Sequence, residues 1–343
     1  MKNLIFSGFL LCHFMAAFGQ LNVQYGSVPA YPYPIDYLQP DGTHLTILLK
    51  GDEAVNWALT TDQYTLLKNK STGGWEYAMP EASGNLVLSG IPAHEPGTRS
   101  ESENLFCKRT EKKLQLSRQQ MDEMRSQFTH DFPVMKASQA KATFNIIVIL
   151  VNYNNTTTTY TQTNFDNYMN LTGYNFQTAV GSVKDYYLSC SYNQMTINAT
   201  VLNWVTAPNA HDYYGPQSKW PELARDAIVA ANTANPSLDW TIFDNDNDGY
   251  IDAIAIFHQG PGQEATSNTN DVWSHTGSVY NYNLMLDGKR ASTYTMQPEK
   301  LSTTTSMITI GVMCHELGHN LGLPDFYDTD YSSNGSGNWE IMA

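Results

Sequence analysis

The sequence predicts an α/β (α+β) fold in which a mixed sheet and one histidine-bearing helix follow a small β-rich unit. Three observations lead to this prediction. Apolar runs of strand length alternate with helically spaced segments after residue 143, which favours a layered sheet-and-helix domain. Short strand-like segments separated by turn residues fill residues 20–105. Near the carboxyl end, His315 and His319 lie four residues apart, a spacing that places both on one face of a helix.

Composition limits the class of protein. The chain has 343 residues, enough for two domains, with 41% hydrophobic and 15% charged residues, as in globular proteins. The formal net charge of −14 argues against a nucleic-acid partner, because such proteins need a basic surface. The same acidity is compatible with calcium binding.

Residues 1–19 predict a secretory signal peptide. Lys2 supplies a positive charge, residues 4–18 are mostly apolar, and the small residues Ala17 and Gly19 lie near a cleavage point. The segment is too short for a membrane span, and no later run reaches that length. We therefore expect a secreted, extracellular protein, the alternative being an N-terminal anchor.

Residues 20–105 form the predicted β-rich unit, and residues 106–142 a basic connector. Eight of the 19 basic residues fall between Cys107 and Lys141, and a helix is expected at about 110–127. We interpret this stretch as an exposed connector with processing sites, the alternative being a solvated helix face. Strands of the unit before it are predicted at 44–50, 57–60, 64–67 and 75–78.

Residues 143–343 form the second predicted domain. Its helix with the paired histidines is expected at about 306–321, with Thr305 or Ser306 as N-cap. The earlier elements are strands at 144–151, 195–201 and 251–257 and helices at 181–189 and 220–231.

The stretch His315–Asp325 has the pattern HExxHxxGxxD. Two histidines on one helix face can bind one zinc ion, and Glu316 can act on a water molecule at that metal. Gly322 allows the chain to turn back, so that a third ligand can reach the same ion. The metzincin pattern has histidine where this chain has Asp325, and carboxylate is an acceptable zinc ligand. The alternative is a buried helix with two core histidines.

A second pattern, DxDxDGxxD, predicts a calcium loop. Asp244, Asp246 and Asp248 supply alternate oxygen ligands, Tyr250 its backbone carbonyl, and Asp252 a further carboxylate. Position 12, where an EF-hand has glutamate, is alanine, so the loop is of another type. The alternative is an acidic turn whose side chains bond only the backbone. A bound calcium ion would be structural, stabilising a strand near the zinc site.

Three cysteines remain after the predicted signal peptide, namely Cys107, Cys190 and Cys314. An odd number excludes a complete disulfide framework, although one disulfide with a free thiol left over stays open. We expect the Cys314 side chain to point away from the metal.

Taken together, these motifs make the chain resemble the M6 peptidases, the immune inhibitor A-like secreted metallopeptidases. The resemblance covers about residues 140–343 and extends to a propeptide-like N-terminal unit through 39–43 and 51–53. The matching segments are 181–187 with 191–192, 246–252, 271–275, 315–328 and 339–342.

The resemblance implies a secreted zinc endopeptidase that is made as a latent zymogen and often binds calcium. His315 and His319 would be zinc ligands, Glu316 the general base and acid, and Met342 the methionine of a Met-turn beneath the metal. Protein or peptide substrates would be the partners, and the propeptide an intramolecular inhibitor.

Three expectations about the carboxyl end stay open. Asp325 has the spacing of the third ligand, and Asp328 is the alternative. Tyr327 is a candidate for stabilising the oxyanion. Family members continue past the Met-turn, so we expect the catalytic domain to be incomplete at Ala343.

Two other functions are compatible with the sequence. One is a non-catalytic, calcium-stabilised surface or adhesion protein that retains the zinc scaffold. The other is a zinc hydrolase of another substrate class, such as an amidase. Glu316 favours an enzyme, because a scaffold has no need of a base.

Overall fold

The computed structural model describes residues 30–31, 33–52, 54–126, 143–304, 306–323, 325–326, 336–337 and 340–342. The predicted signal peptide, 1–19, lies outside the described residues. No helix among those residues is both long enough and apolar enough to cross a membrane.

The N-terminal part is a six-stranded antiparallel sheet whose strands follow one another in chain order. Alternation along the second strand buries Leu45, Ile47 and Leu49, which gives the sheet one apolar face. Gly51 ends this strand at φ +92°, where a Cβ would lie 1.8 Å from the Val55 carbonyl oxygen, so the turn requires glycine. The strands are β1 Ile35–Leu38, β2 His44–Gly51, β3 Asn56–Thr60, β4 Thr65–Lys68, β5 Trp75–Pro80 and β6 Leu86–Pro92.

Two helices follow this sheet, α1 at Glu101–Arg109 and α2 at Arg118–Ser126. Helix α2 lies inside the predicted helix at about 110–127 but begins only at Arg118, and α1 was not predicted. The expected unit boundary at 105 falls within α1. A capping box starts α1 earlier, because Ser100 and Glu103 each bond the other's backbone N–H. The helices also bury side chains such as Met121 against the sheet, so this part of the connector is not simply exposed.

The second part contains nine strands and six α-helices among the described residues. The strands are β7 Thr143–Asn152, β8 Thr196–Val201, β9 Val205–Thr206, β10 Tyr250–Ile251, β11 Ile254–Pro261, β12 His275–Ser278, β13 Met285–Leu286, β14 Lys289–Ala291 and β15 Thr293–Lys300. The helices are α3 Gln162–Asn170, α4 Val183–Cys190, α5 His211–Tyr214, α6 Trp220–Ala234, α7 Gln263–Thr266 and α8 Ile310–Asn320.

These strands include the predicted mixed sheet, with strand order β12-β15-β11-β7-β8 and β9 paired to β7. Strands β8, β7, β11 and β15 run parallel, and β12 pairs antiparallel with β15 at the edge. Strands β10, β14 and β13 form a separate small sheet.

The mixed sheet is covered on both faces. Ile147 and Ile149 of β7 belong to the core that includes α6, whereas Ile146, Val148 and Leu150 belong to the core that includes α3, α4 and α8. Each is at most 1% exposed, and burying such a side chain contributes about 1.5–3 kcal/mol. This burial on both faces explains why the strand reads as one continuous apolar run.

Helix α8 is shorter than predicted. It begins at Ile310 after Thr309, and neither Thr305, which lies outside the described residues, nor Ser306 is its N-cap. The chain just before it is held in extended pairing with the end of β15, since Leu301 N–H donates to the Ser306 carbonyl and Ile308 N–H to the Glu299 carbonyl. The helix can therefore start only after this pairing ends. It finishes at Asn320, and Gly322 follows at φ +87°, as predicted.

Candidate metal centre

Helix α8 brings the two predicted ligand histidines together. His315 and His319 are buried, and their Nε2 atoms are 3.1 Å apart. The Nδ1 atom of His315 lies 2.8 Å from the Ile341 carbonyl oxygen, and that of His319 lies 2.8 Å from the Leu323 carbonyl oxygen. Each Nδ1 can then carry the proton and donate it to a carbonyl, which leaves both Nε2 lone pairs directed at one region.

Asp325 completes this cluster. Its Oδ1 atom is 3.2 Å from His315 Nε2 and 3.4 Å from His319 Nε2. Among the described residues, the three side chains form one of two groups whose ligand atoms all lie within 4.8 Å of one another. Asp328, the alternative third ligand, lies outside the described residues, as does Tyr327.

The carboxylates Asp325 and Glu316 favour a positive charge at the cluster. Burial alone would lower the pKa of His315, but the hydrogen bond to Asp325 and the nearby Glu316 outweigh it and raise that pKa to about 9. Burial would raise the pKa of Asp325, but its hydrogen bonds with His315 and His319 hold it below its usual value. Two imidazole nitrogens and one carboxylate oxygen, all buried around one point, are a donor set that fits zinc.

Glu316 lies beside this cluster and is fully buried. Its Oε2 atom accepts a hydrogen bond of 2.5 Å from Thr276 Oγ1, whereas Oε1 has no hydrogen-bond partner among the described residues. Burial raises the pKa of the Glu316 carboxyl, against the opposing effect of His315 and His319. The group therefore has the environment of a base rather than of a surface carboxylate.

Met342 lies against the same helix. It is 1% exposed, and a Cβ at Gly318 would come within 2.6 Å of its sulfur atom. The Phe326 N–H donates to the Met342 carbonyl at 2.7 Å. The chain after α8 thus folds back under the helix, as a Met-turn requires, although its role stays a prediction.

Two contacts at this centre were missed from the sequence. Thr276 reaches Glu316 from β12, and Tyr187 of α4 donates to the Cys314 carbonyl at 2.6 Å, which holds α8 against α4. Both residues lie in segments that matched the family or adjoin them, but no spacing rule linked them to α8. Cys314 itself is buried in the core, is not part of the ligand cluster and forms no disulfide.

The acidic loop forms the second group of potential ligands. Carboxylate oxygens of Asp244, Asp246 and Asp252 lie within 4.8 Å of one another, whereas Asp248 is not part of the group. Lys289 Nζ lies 2.5 Å from Asp244 Oδ2, which the sequence did not predict. The aspartates also accept backbone N–H bonds of the loop, for example from Asp248 to Asp244 at 3.1 Å. The loop therefore already holds one positive charge from the chain itself.

This loop is connected to α8. Asn320, the last residue of the helix, donates from Nδ2 to the Asp252 carbonyl at 3.0 Å. Burial raises the pKa of the Asp252 carboxyl to about 7. Tyr250, whose carbonyl was predicted as a ligand, begins β10, and its N–H donates to Asp248 Oδ1 at 2.9 Å. The acidic loop thus contacts α8 directly through the hydrogen bond from Asn320.

Residues 144–343 match the model of the family described as immune inhibitor A peptidase M6, catalytic domain. The chain is 31% identical over 204 residues to immune inhibitor A of Bacillus thuringiensis subsp. alesti. The aligned region covers 48% of this chain and 28% of that protein. It is 32% identical over 198 residues to the pre-pro-metalloprotease PrtV of Vibrio cholerae serotype O1 strain M66-2. That aligned region covers 47% of this chain and 21% of PrtV. The chain thus matches less than a third of the length of these relatives.

Proposed function

The chain belongs to the M6 peptidase family, and from this membership we propose that it is a secreted, zinc-dependent endopeptidase made as a latent zymogen. One observation carries the proposal. Two histidine Nε2 atoms and one aspartate oxygen converge in a buried site beside an equally buried glutamate. Three protein ligands with a neighbouring carboxylate is the composition of a catalytic zinc site, which keeps one position for water or substrate.

His315, His319 and Asp325 would hold the ion. When bound, zinc lowers the pKa of a water molecule and polarises the scissile carbonyl of the substrate. Glu316 takes the proton from the attacking water and later delivers it to the leaving amine. Its burial favours this exchange, because a raised pKa brings the carboxyl nearer to the working pH. Tyr327 is proposed to stabilise the developing oxyanion.

Glu316→Gln tests this mechanism. The amide keeps the shape of the side chain but cannot take a proton, so we expect casein hydrolysis to fall by about 10²- to 10⁴-fold. Zinc content, measured by plasma mass spectrometry, should stay at that of the unsubstituted protein, whereas His315→Ala should lose the metal. Undiminished hydrolysis by the glutamine variant would overturn the assignment of the base.

The substrate class is tested separately. A peptide library and a panel of non-peptide amides distinguish an endopeptidase from an amidase. Cleavage confined to the amide panel would reject the endopeptidase proposal, and no cleavage of either with zinc bound would favour the non-catalytic surface protein.

We also propose that the acidic loop binds calcium through Asp244, Asp246, Asp248, Tyr250 and Asp252. The grouping of three of these carboxylates supports the proposal, while Lys289 opposes it by neutralising part of their charge. Calcium titration of the zinc-loaded protein, followed by melting temperature, tests it. An unchanged melting temperature up to millimolar calcium would reject a structural calcium site.

Latency is proposed for the N-terminal unit, residues 20–105. The unit shares a continuous apolar core with the second part, and Tyr31 N–H donates to the Glu264 carbonyl at 3.1 Å. Among the described residues, no side chain from 30–126 belongs to the ligand cluster of His315, His319 and Asp325. Cleavage within the connector, 106–142, should therefore raise activity by releasing a unit that packs against the second part rather than one that ligates its metal. Equal activity before and after cleavage would reject latency.

A further inference from the structure

Thr276 contacts the proposed base from the edge of the mixed sheet. It lies on β12, is 5% exposed, and its Oγ1 is 2.5 Å from Glu316 Oε2. The two residues are 40 positions apart in the chain. A hydroxyl donating to a carboxylate makes a charge-assisted bond, which is shorter and stronger than a bond between neutral groups.

The direction of Thr276 is fixed by its neighbour. His275 faces the opposite side of the sheet, where its ring stacks on Trp220 of α6 at 4.7 Å. Both ring nitrogens of His275 are bonded, Nδ1 to the Trp273 carbonyl at 2.7 Å and Nε2 to the Tyr294 hydroxyl at 2.9 Å. Because side chains alternate along a strand, this anchor directs Thr276 towards α8.

The two oxygens of Glu316 therefore have different surroundings. Oε2 is bonded to Thr276, and Oε1 is buried without a hydrogen-bond partner among the described residues. A carboxyl that exchanges protons with a reacting group needs one oxygen free and a fixed orientation.

We propose that Thr276 is a positioning residue that holds Oε2 of Glu316, so that Oε1 is the oxygen that exchanges the proton during hydrolysis. This inference rests on the proposed function, in which Glu316 is the base. Thr276 is not one of the three residues of the ligand cluster, and we assign it a role through its contact with the glutamate.

Thr276→Val removes the hydroxyl and keeps the branched shape. Its matched control is Thr295→Val, since Thr295 pairs directly with Thr276 across the strands, is 1% exposed, and its hydroxyl has no hydrogen-bond partner among the described residues. We expect Thr276→Val to lower kcat by about 10- to 100-fold, the effect of a misplaced group, with little change in KM. Thr276→Ser should restore most of kcat, and Thr295→Val should leave it unchanged.

A second measurement does not depend on activity. In the metal-free protein, Thr276→Val should lower the melting temperature by about 4 °C, because a charged hydrogen bond is lost. In a Glu316→Ala background the same substitution should have almost no effect, since the acceptor is already gone. Equal shifts in both backgrounds would show that the threonine stabilises something other than Glu316 and would overturn the inference.

The outcomes separate this inference from the proposed function. If Glu316→Gln remains active, the assignment of the base fails first. If Glu316→Gln is inactive while Thr276→Val matches the unsubstituted enzyme, only the positioning role fails. It fails equally if Thr295→Val or Thr276→Ser is as impaired as Thr276→Val.

Discussion

Glu264 offers a quantitative test of the electrostatics inside this fold. The side chain belongs to α7 and is almost fully buried, where Ser274 Oγ donates to Oε1 at 2.5 Å and Ser274 N–H donates to Oε2 at 3.2 Å. Burial raises the pKa of this carboxyl from 4.5 to about 7, against the hydrogen bonds that favour its charged form. Glu264→Gln replaces it by a neutral group of the same shape, so the cost of burying a charge disappears.

The size of the effect follows from the pKa difference. The unfolded chain releases the proton near pH 4.5, whereas the folded chain keeps it until about pH 7. The stability that this group contributes is therefore full below pH 4.5 and is lost as the pH rises through 7. One pKa unit corresponds to 1.36 kcal/mol, so the loss is about 3 kcal/mol at pH 8.5.

Urea unfolding at several pH values measures this effect. We expect the free energy of unfolding to be equal for Glu264→Gln and the unsubstituted protein at pH 4.5, and larger for Glu264→Gln by up to about 3 kcal/mol at pH 8.5. Glu101→Gln, at the exposed start of α1, controls for the loss of a surface charge. A difference for Glu264→Gln that stays constant across this pH range would refute the reasoning.

Three further predictions concern other parts of the structure. Asp325→Ala should reduce bound zinc well below one ion per chain while Asp328→Ala retains it, and the reverse result would make Asp328 the third ligand. Lys289→Met removes the ammonium group from Asp244, so calcium affinity measured by titration calorimetry should rise by about tenfold, and an unchanged affinity would mean that the lysine does not compete. Glu299→Gln should lower the free energy of unfolding by about 1–3 kcal/mol, because the buried carboxylate accepts three backbone N–H groups, and an unaltered urea midpoint would contradict this.

Elements with a strong local pattern were predictable from the sequence. Strand β7 appears as one apolar run because both of its faces are buried, and β2 alternates because its second face is only partly covered. The start of α8 was misplaced because long-range pairing with β15 overrides helical spacing before Ile310. The start of α1 was missed although Ser100 and Glu103 have the spacing of a capping box, which was a readable signal.

In the candidate metal centre, too, contacts between residues near in the chain were predictable and contacts between distant residues were not. His315, His319 and Asp325 are close in the chain, so spacing predicted that they could meet, with Asp328 left as the alternative third ligand. Thr276 could not be found by spacing, because its contact with Glu316 depends on the pairing of β12 with β15 and on the packing of α8 against that sheet. Lys289 was missed for a related reason, since β14 comes beside the acidic loop only through its pairing with β10.

Spacing on a helix is also insufficient to distinguish a metal centre from two core histidines. Side chains four residues apart share a face, but their rings can still rotate. The carbonyls of Ile341 and Leu323, both beyond the end of α8, bond the Nδ1 atoms of His315 and His319 and so fix each ring. Two core histidines satisfied by neighbours would have no reason to direct both remaining nitrogens at one carboxylate. The chain after the helix, rather than the helix alone, therefore supports a metal centre.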